Sequence, residues 1–125
     1  MDTLTGQVVR GAGYGKQLGF PTANIDRRQY VGYGKKIRYG VYAGIVELPS
    51  GKKYKAGIVV GPNDKTGLPK LEAYLLGFSG SLYGKKLTFN LIKYLRPFKP
   101  YKSEALLRAQ ISSDVKKIKQ LKLSV

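Results

Sequence analysis

Neither cysteine nor histidine occurs anywhere in the chain's 125 residues. Without cysteine there is no disulfide, no thiol nucleophile and no thiolate metal site; without histidine there is no imidazole base and no imidazole zinc ligand. Any chemistry falls to carboxylates, hydroxyls, amides, lysine, arginine or the backbone. Carboxylates are themselves scarce: 7 Asp and Glu stand against 23 Lys and Arg, a formal net charge of +16. Such an excess concentrates anions of every kind, nucleotides, nucleic acid or acidic lipid headgroups, without choosing among them. Charge alone therefore suits a small basic β-barrel that binds RNA without catalysis. Long apolar runs are missing too, and Met1 to Gly6 has neither the basic start nor the apolar stretch of a leader. A cytoplasmic protein with no membrane contact is expected, and the lack of cysteine is compatible with a reducing compartment.

Apolar residues make up 42% of the sequence, enough for a core, and the length suits one domain over residues 1–125. Thr5 to Arg10 is short and β-branched and reads as a first strand. Residues 26–38 mix Arg27, Arg28, Lys35, Lys36 and Arg38 with tyrosines and glycines, show no period, and read as a mobile basic connection. Gly40–Leu48 and Lys53–Val60 are rich in Val, Ile and Tyr on either side of Pro49-Ser50-Gly51-Lys52, the pattern of a hairpin. Lys70–Phe78 alternates in part, with Leu71, Ala73 and Leu75 on one face and Glu72, Tyr74 and Leu76 on the other. Lys85–Leu95 makes a last long strand that Pro97 and Pro100 stop.

The tail differs in kind. Ser103 suits an N-cap and Glu104 a first turn; Leu107, Ile111, Val115 and Ile118 fall on one helical stripe, with lysines gathered towards the end. The expected fold is mainly β, a small closed antiparallel Greek-key-like barrel of about six strands with a C-terminal helix packed on it.

Two places carry candidate chemistry. Gly11, Gly13, Gly15 and Gly19 surround Lys16 in a run whose backbone amides can approach an anion closely, and Pro21 stiffens the chain just before Thr22-Ala23-Asn24. Thr22 and Asn24, two apart on an extended segment, point to one side, where their oxygens can meet a hard cation such as Mg²⁺. Their bland alternative is to satisfy backbone groups in a turn. Glu72 is a carboxylate within an apolar segment, costly to bury without partners. Its bland alternative is an ion pair with Lys70 or Lys85 on an exposed sheet face.

The Gly19-Phe20-Pro21-Thr22-Ala23-Asn24 run resembles the signature of the riboflavin kinases. So do Gly6–Gly11, Gly40–Ala43, Leu71–Leu75 with Leu82-Tyr83-Gly84, and Tyr94-Leu95-Arg96-Pro97 with Ser103, Leu106, Gln110, Ile111 and Asp114. The resemblance implies transfer of the γ-phosphate of ATP to the ribityl 5′-hydroxyl of riboflavin, giving FMN and ADP. It implies that Gly11, Gly13, Gly15, Lys16, Gly19, Pro21, Thr22 and Asn24 hold the nucleotide and that Thr22 and Asn24 bind Mg²⁺. It gives Glu72 the role of catalytic base and sets Arg96, Phe98 and Leu106 beside the flavin; for Leu106 ordinary packing is an equal alternative. Three departures accompany it. Val59–Asn63 lacks the arginine of the bacterial loop, Gly77 stands where many members carry an aspartate, and the chain opens at the kinase segment, so no FAD synthesis is expected. The partners expected are riboflavin and ATP, with the protein a monomer and nucleic acid a possible secondary partner.

Overall fold

The computed structural model describes residues 2–9, 21–34, 36–63 and 65–122. Six strands close into an antiparallel barrel: β1 (Asp2–Val9), β2 (Thr22–Ile25), β3 (Gly40–Glu47), β4 (Lys53–Asn63), β5 (Pro69–Leu75) and β6 (Lys86–Arg96). Around the barrel they run β1-β2-β5-β4-β3-β6, and β6 pairs back with β1. The β3–β4 hairpin and the two later strands lie within three residues of their expected bounds. Closure leaves no unpaired edge, which a small sheet protein otherwise has to protect.

The alternation of β5 sorts its two faces. Leu71, Ala73 and Leu75 join Leu4, Val8, Ile58, Phe89 and Leu91 in the barrel core. Tyr74, on the opposite face, belongs to a second cluster outside the barrel with Ala43, Ile111, Val115 and Ile118. That outer cluster is where helix α2 (Glu104–Gln120) lies on the sheet. Ser103 caps the helix as expected, its hydroxyl accepting the Leu106 N–H at 3.2 Å. At the other end the Lys55 ammonium donates to the carbonyls of Lys119 and Leu121, at 3.3 and 2.9 Å.

Gly57 makes this packing possible. It pairs with Tyr74, and a Cβ on it would lie 2.1 Å from the tyrosine's Cζ. Only a residue without a side chain lets the ring lie flat over β4 beneath α2.

Residues 26–34 and 36–38 hold local structure that their composition does not show. They contain a short helix, α1 (Arg28–Tyr33), and the connection is pinned at both ends. The Asp26 carboxylate accepts the Arg28 backbone N–H at 3.0 Å, and Gly34 ends the helix at φ 68°, which glycine adopts without steric cost. Tyr30 packs on the barrel core and its hydroxyl accepts the Ile37 N–H at 3.3 Å. The period was unreadable because the helix has only 6 residues, under two turns. Among the described residues no helix is long and apolar enough to cross a membrane.

Candidate active site

The site is built by strand register. In β2, Ala23 and Ile25 point into the core, so Thr22 and Asn24 point out. In β5 the same alternation turns Glu72 out. The β2–β5 pairing sets Asn24 directly opposite Glu72 and Thr22 opposite Tyr74. Directly opposed residues share a face, with Cβ atoms about 5 Å apart. An amide and a carboxylate 48 residues apart in sequence thus become neighbours.

The row continues in both directions. Glu72 is opposite Val59 on β4, Val59 opposite Val41 on β3, and Val41 opposite Arg96 on β6; on the other side Asn24 is opposite Val9. Val41 and Val59 are outward-facing yet buried, and Glu72 itself is only 2% exposed. A carboxylate between an amide and an apolar floor therefore sits about midway along the row. Arg96 is three strand spacings from Glu72, about 14 Å along the sheet. The exposed sheet face expected of the alternative reading of Glu72 is not what the structure has, because an outward position on this barrel is not an exposed one.

At the far end of the row Arg96 is fixed by α2. Its Nε donates to both oxygens of Asp114, at 3.1 and 3.0 Å, and Nη2 donates to Oδ2 at 2.8 Å. Gln110 donates a further bond to Asp114 Oδ1 at 3.1 Å. Asp114 is completely buried and Arg96 is 12% exposed. Asp114 and Gln110 had no role assigned from sequence. The available signal was an acid, one of 7, set beside the apolar stripe of α2 with a glutamine four residues earlier.

Arg96, Phe98 and Leu106 come together along one flank of α2. Arg96 and Phe98 line a cavity of about 420 Å³ with Tyr101 and Gln110; Leu106 lines an adjoining groove of about 500 Å³ that shares Tyr101 and Gln110. Leu106 is 54% exposed, so it does not serve the core. A smaller cavity of about 280 Å³ opens beside Asn24, with Arg27, Arg28 and Leu68 among its walls. Gly11, Gly13, Gly15, Lys16 and Gly19 lie outside the described residues; Pro21 leads directly into β2, and its carbonyl accepts the Leu75 N–H at 3.0 Å.

For a cation, Thr22 and Asn24 offer two neutral oxygens on one face. No cluster of three or more acids that could hold a metal exists among the described residues. A neutral donor pair fits Mg²⁺ shared with phosphate oxygens and water better than it fits a cation caged by protein alone.

Comparison with known proteins identifies the family of the chain. The flavokinase family, described as riboflavin kinase, matches residues 2–122. Human riboflavin kinase is 34% identical over 119 residues, covering 92% of this chain and 77% of that protein. The bifunctional riboflavin kinase/FMN adenylyltransferase of Mycoplasma pneumoniae is 34% identical over 111 residues; the match takes in 89% of this chain but only 39% of that longer protein. The crystal structure of riboflavin kinase from Trypanosoma brucei superposes with a TM-score of 0.60 at 25% identity, over 94% of this chain and 74% of that one. A basic barrel without catalysis finds no better support in these matches. The chain belongs to the riboflavin kinase family.

Proposed function

We propose that this chain phosphorylates riboflavin from ATP with Glu72 as the general base, and that the cross-strand row from Asn24 to Arg96 is the axis of the reaction. The observation that carries this reading is the direct opposition of Asn24 and Glu72. One end of the row offers oxygen donors, the middle a buried carboxylate, and the other end a groove with an arginine. That order suits a nucleotide at Thr22 and Asn24 and a flavin ring at Arg96, Phe98 and Leu106, with the ribityl chain crossing Val41 and Val59 to bring its 5′-hydroxyl to Glu72.

In the transfer, the Glu72 carboxylate takes the proton of the 5′-hydroxyl as that oxygen bonds to the γ-phosphorus and the bond to the β–γ bridging oxygen breaks. Asn24 and Thr22 hold the phosphate end in line, and the low water content around Glu72 strengthens each charge interaction there. Gly11, Gly13, Gly15, Lys16 and Gly19 are assigned to the phosphates on their sequence pattern. Mg²⁺, held through Thr22 and Asn24, would neutralise phosphate charge when bound. The reaction is placed in the cytoplasm and needs one copy of the chain.

The test is FMN formation from riboflavin, ATP and Mg²⁺, followed by chromatography. Glu72→Gln is expected to lower turnover by about two orders of magnitude or more with nucleotide affinity nearly kept. Full turnover in that variant would remove Glu72 from the base role, and failure of the wild type to form FMN would overturn the whole reading.

A further inference from the structure

The reaction uses little of the net charge of +16, and one unused concentration lies at the C-terminal end of α2. Lys116, Lys117, Lys119 and Lys122 are all exposed there, and Lys93 is exposed on β6 beside them. No carboxylate among the described residues pairs with any of the five. The nearest acid in sequence, Asp114, is buried and taken by Arg96, while Asp26 and Glu104 pair with Arg28 and Arg108.

A solvated helix end is the ordinary explanation for such lysines, since cations suit the negative pole of a helix. Here that role is already filled from another element, because Lys55 donates to the last carbonyls. The five lysines beyond it add mutual repulsion. Two of them line a slot: Lys93 and Lys117 stand at a cavity of about 320 Å³ whose other walls are Tyr94, Leu95, Gln120 and Leu121.

We propose that this slot and the lysines around it bind a single-stranded polynucleotide, a base entering beside Lys93 and Lys117 and the flanking phosphates lying on the lysines. Apolar walls beside cations are the pairing that a base between two phosphates presents. A membrane surface fits less well: among the described residues the large exposed apolar side chains, Val9, Val31, Tyr39, Tyr83 and Leu106, all lie elsewhere. The slot begins one residue from Arg96 along β6 and extends to Lys93, about 10 Å away. The proposal is independent of the kinase reading.

The probes are labelled 12-nucleotide oligo(U) RNA and oligo(dT) DNA, titrated with the full chain by fluorescence anisotropy. Four phosphates neutralised on a single strand give a log–log salt slope of about −3, so affinity should fall about 50-fold between 50 and 200 mM KCl. K93Q/K117Q/K119Q/K122Q should lose at least tenfold in affinity at 50 mM and flatten the slope, while still forming FMN at the wild-type rate. K52Q/K53Q/K85Q/K86Q removes the same charge elsewhere and should cost less than threefold. K93Q/K117Q alone should already weaken binding, which covers poor folding of the fourfold variant. Preference between RNA and DNA identifies the source of the strand. Equal losses in the two fourfold variants, no binding at 50 mM, or binding to phosphatidylserine vesicles in place of either oligonucleotide would overturn the proposal.

Discussion

Replacing Asp114 by asparagine tests the joint between the helix and the site. Asp114 is fully buried and is the carboxylate of α2 that pairs with Arg96; Arg96 retains 12% exposure. Removing one partner of a buried pair costs about 3–5 kcal/mol, mostly as the burden of a buried charge left without its counterion. Asparagine keeps an oxygen that can accept one of the three arginine bonds, and the arginine keeps some water, so the low end applies, about 3 kcal/mol. For a domain of this size each kcal/mol moves the melting temperature by about 3–5 °C, so D114N should melt roughly 10 °C or more below the wild type in calorimetry. The double variant R96M/D114L removes both charges and should recover most of that loss, because well-packed apolar pairs often replace buried ion pairs without penalty. Function should separate from stability. The double variant should stay deficient in riboflavin affinity, since Arg96 is assigned to the flavin, with ATP affinity little changed. A D114N protein melting within 2 °C of the wild type, or a double variant no more stable than D114N, would refute this account of the pair.

Two further outcomes follow from local geometry. Gly57→Ala puts a methyl group 2.1 Å from the ring of Tyr74, a fully buried side chain with little room to move, and should destabilise by about 1–3 kcal/mol, read as a lower urea midpoint. It should also reduce kcat, because Tyr74 is two residues from Glu72 on the same face. The Asp26 carboxyl is lowered to about 2, first by the side-chain hydrogen bonds of Arg28, then by the Arg28 backbone N–H. A folded value below the unfolded one near 3.9 means that its contribution is complete above about pH 4 and is lost as pH falls through 4 towards 2. Because Arg28 is 83% exposed, solvent screening keeps that contribution below about 1 kcal/mol. D26N should therefore melt slightly below the wild type at pH 7, and the gap should close near pH 2; a gap that persists there would refute the assignment.

Local signals in the chain carry the fold further than they carry the site. Ser103, the stripe through Ile111 and Ile118, and the turn between Glu47 and Lys53 each act within a few residues, and each appears where its chemistry calls for it. The 6-residue α1 was hidden because so short a helix shows no period, and its stops, Asp26 and Gly34, are residues that also serve turns. The burial of Glu72 was hidden for a different reason. Alternation in β5 says that Glu72 and Leu71 face opposite ways, and in most sheets the face opposite the core meets water. Here the outward-facing neighbours Val41 and Val59 are themselves buried, so the outer face at Glu72 is a second interior that alternation within β5 does not show.

The same reasoning explains why the proposed catalytic arrangement became visible only with the register. Thr22, Asn24 and Glu72 could each be singled out by residue type, yet type gives no distance between them. A slip of one residue in the β2–β5 pairing would leave Asn24 opposite Leu71 or Ala73, on the wrong face, with the carboxylate lacking its neighbour. The register is held by what lies inside the barrel: Ala23 opposite Ala73 fills the core only if Asn24 is opposite Glu72 outside. Core packing and active-site alignment are thus a single constraint on β2. Enlarging Ala23, which is 0% exposed, should therefore disturb turnover as well as stability, although its side chain never reaches the substrate face.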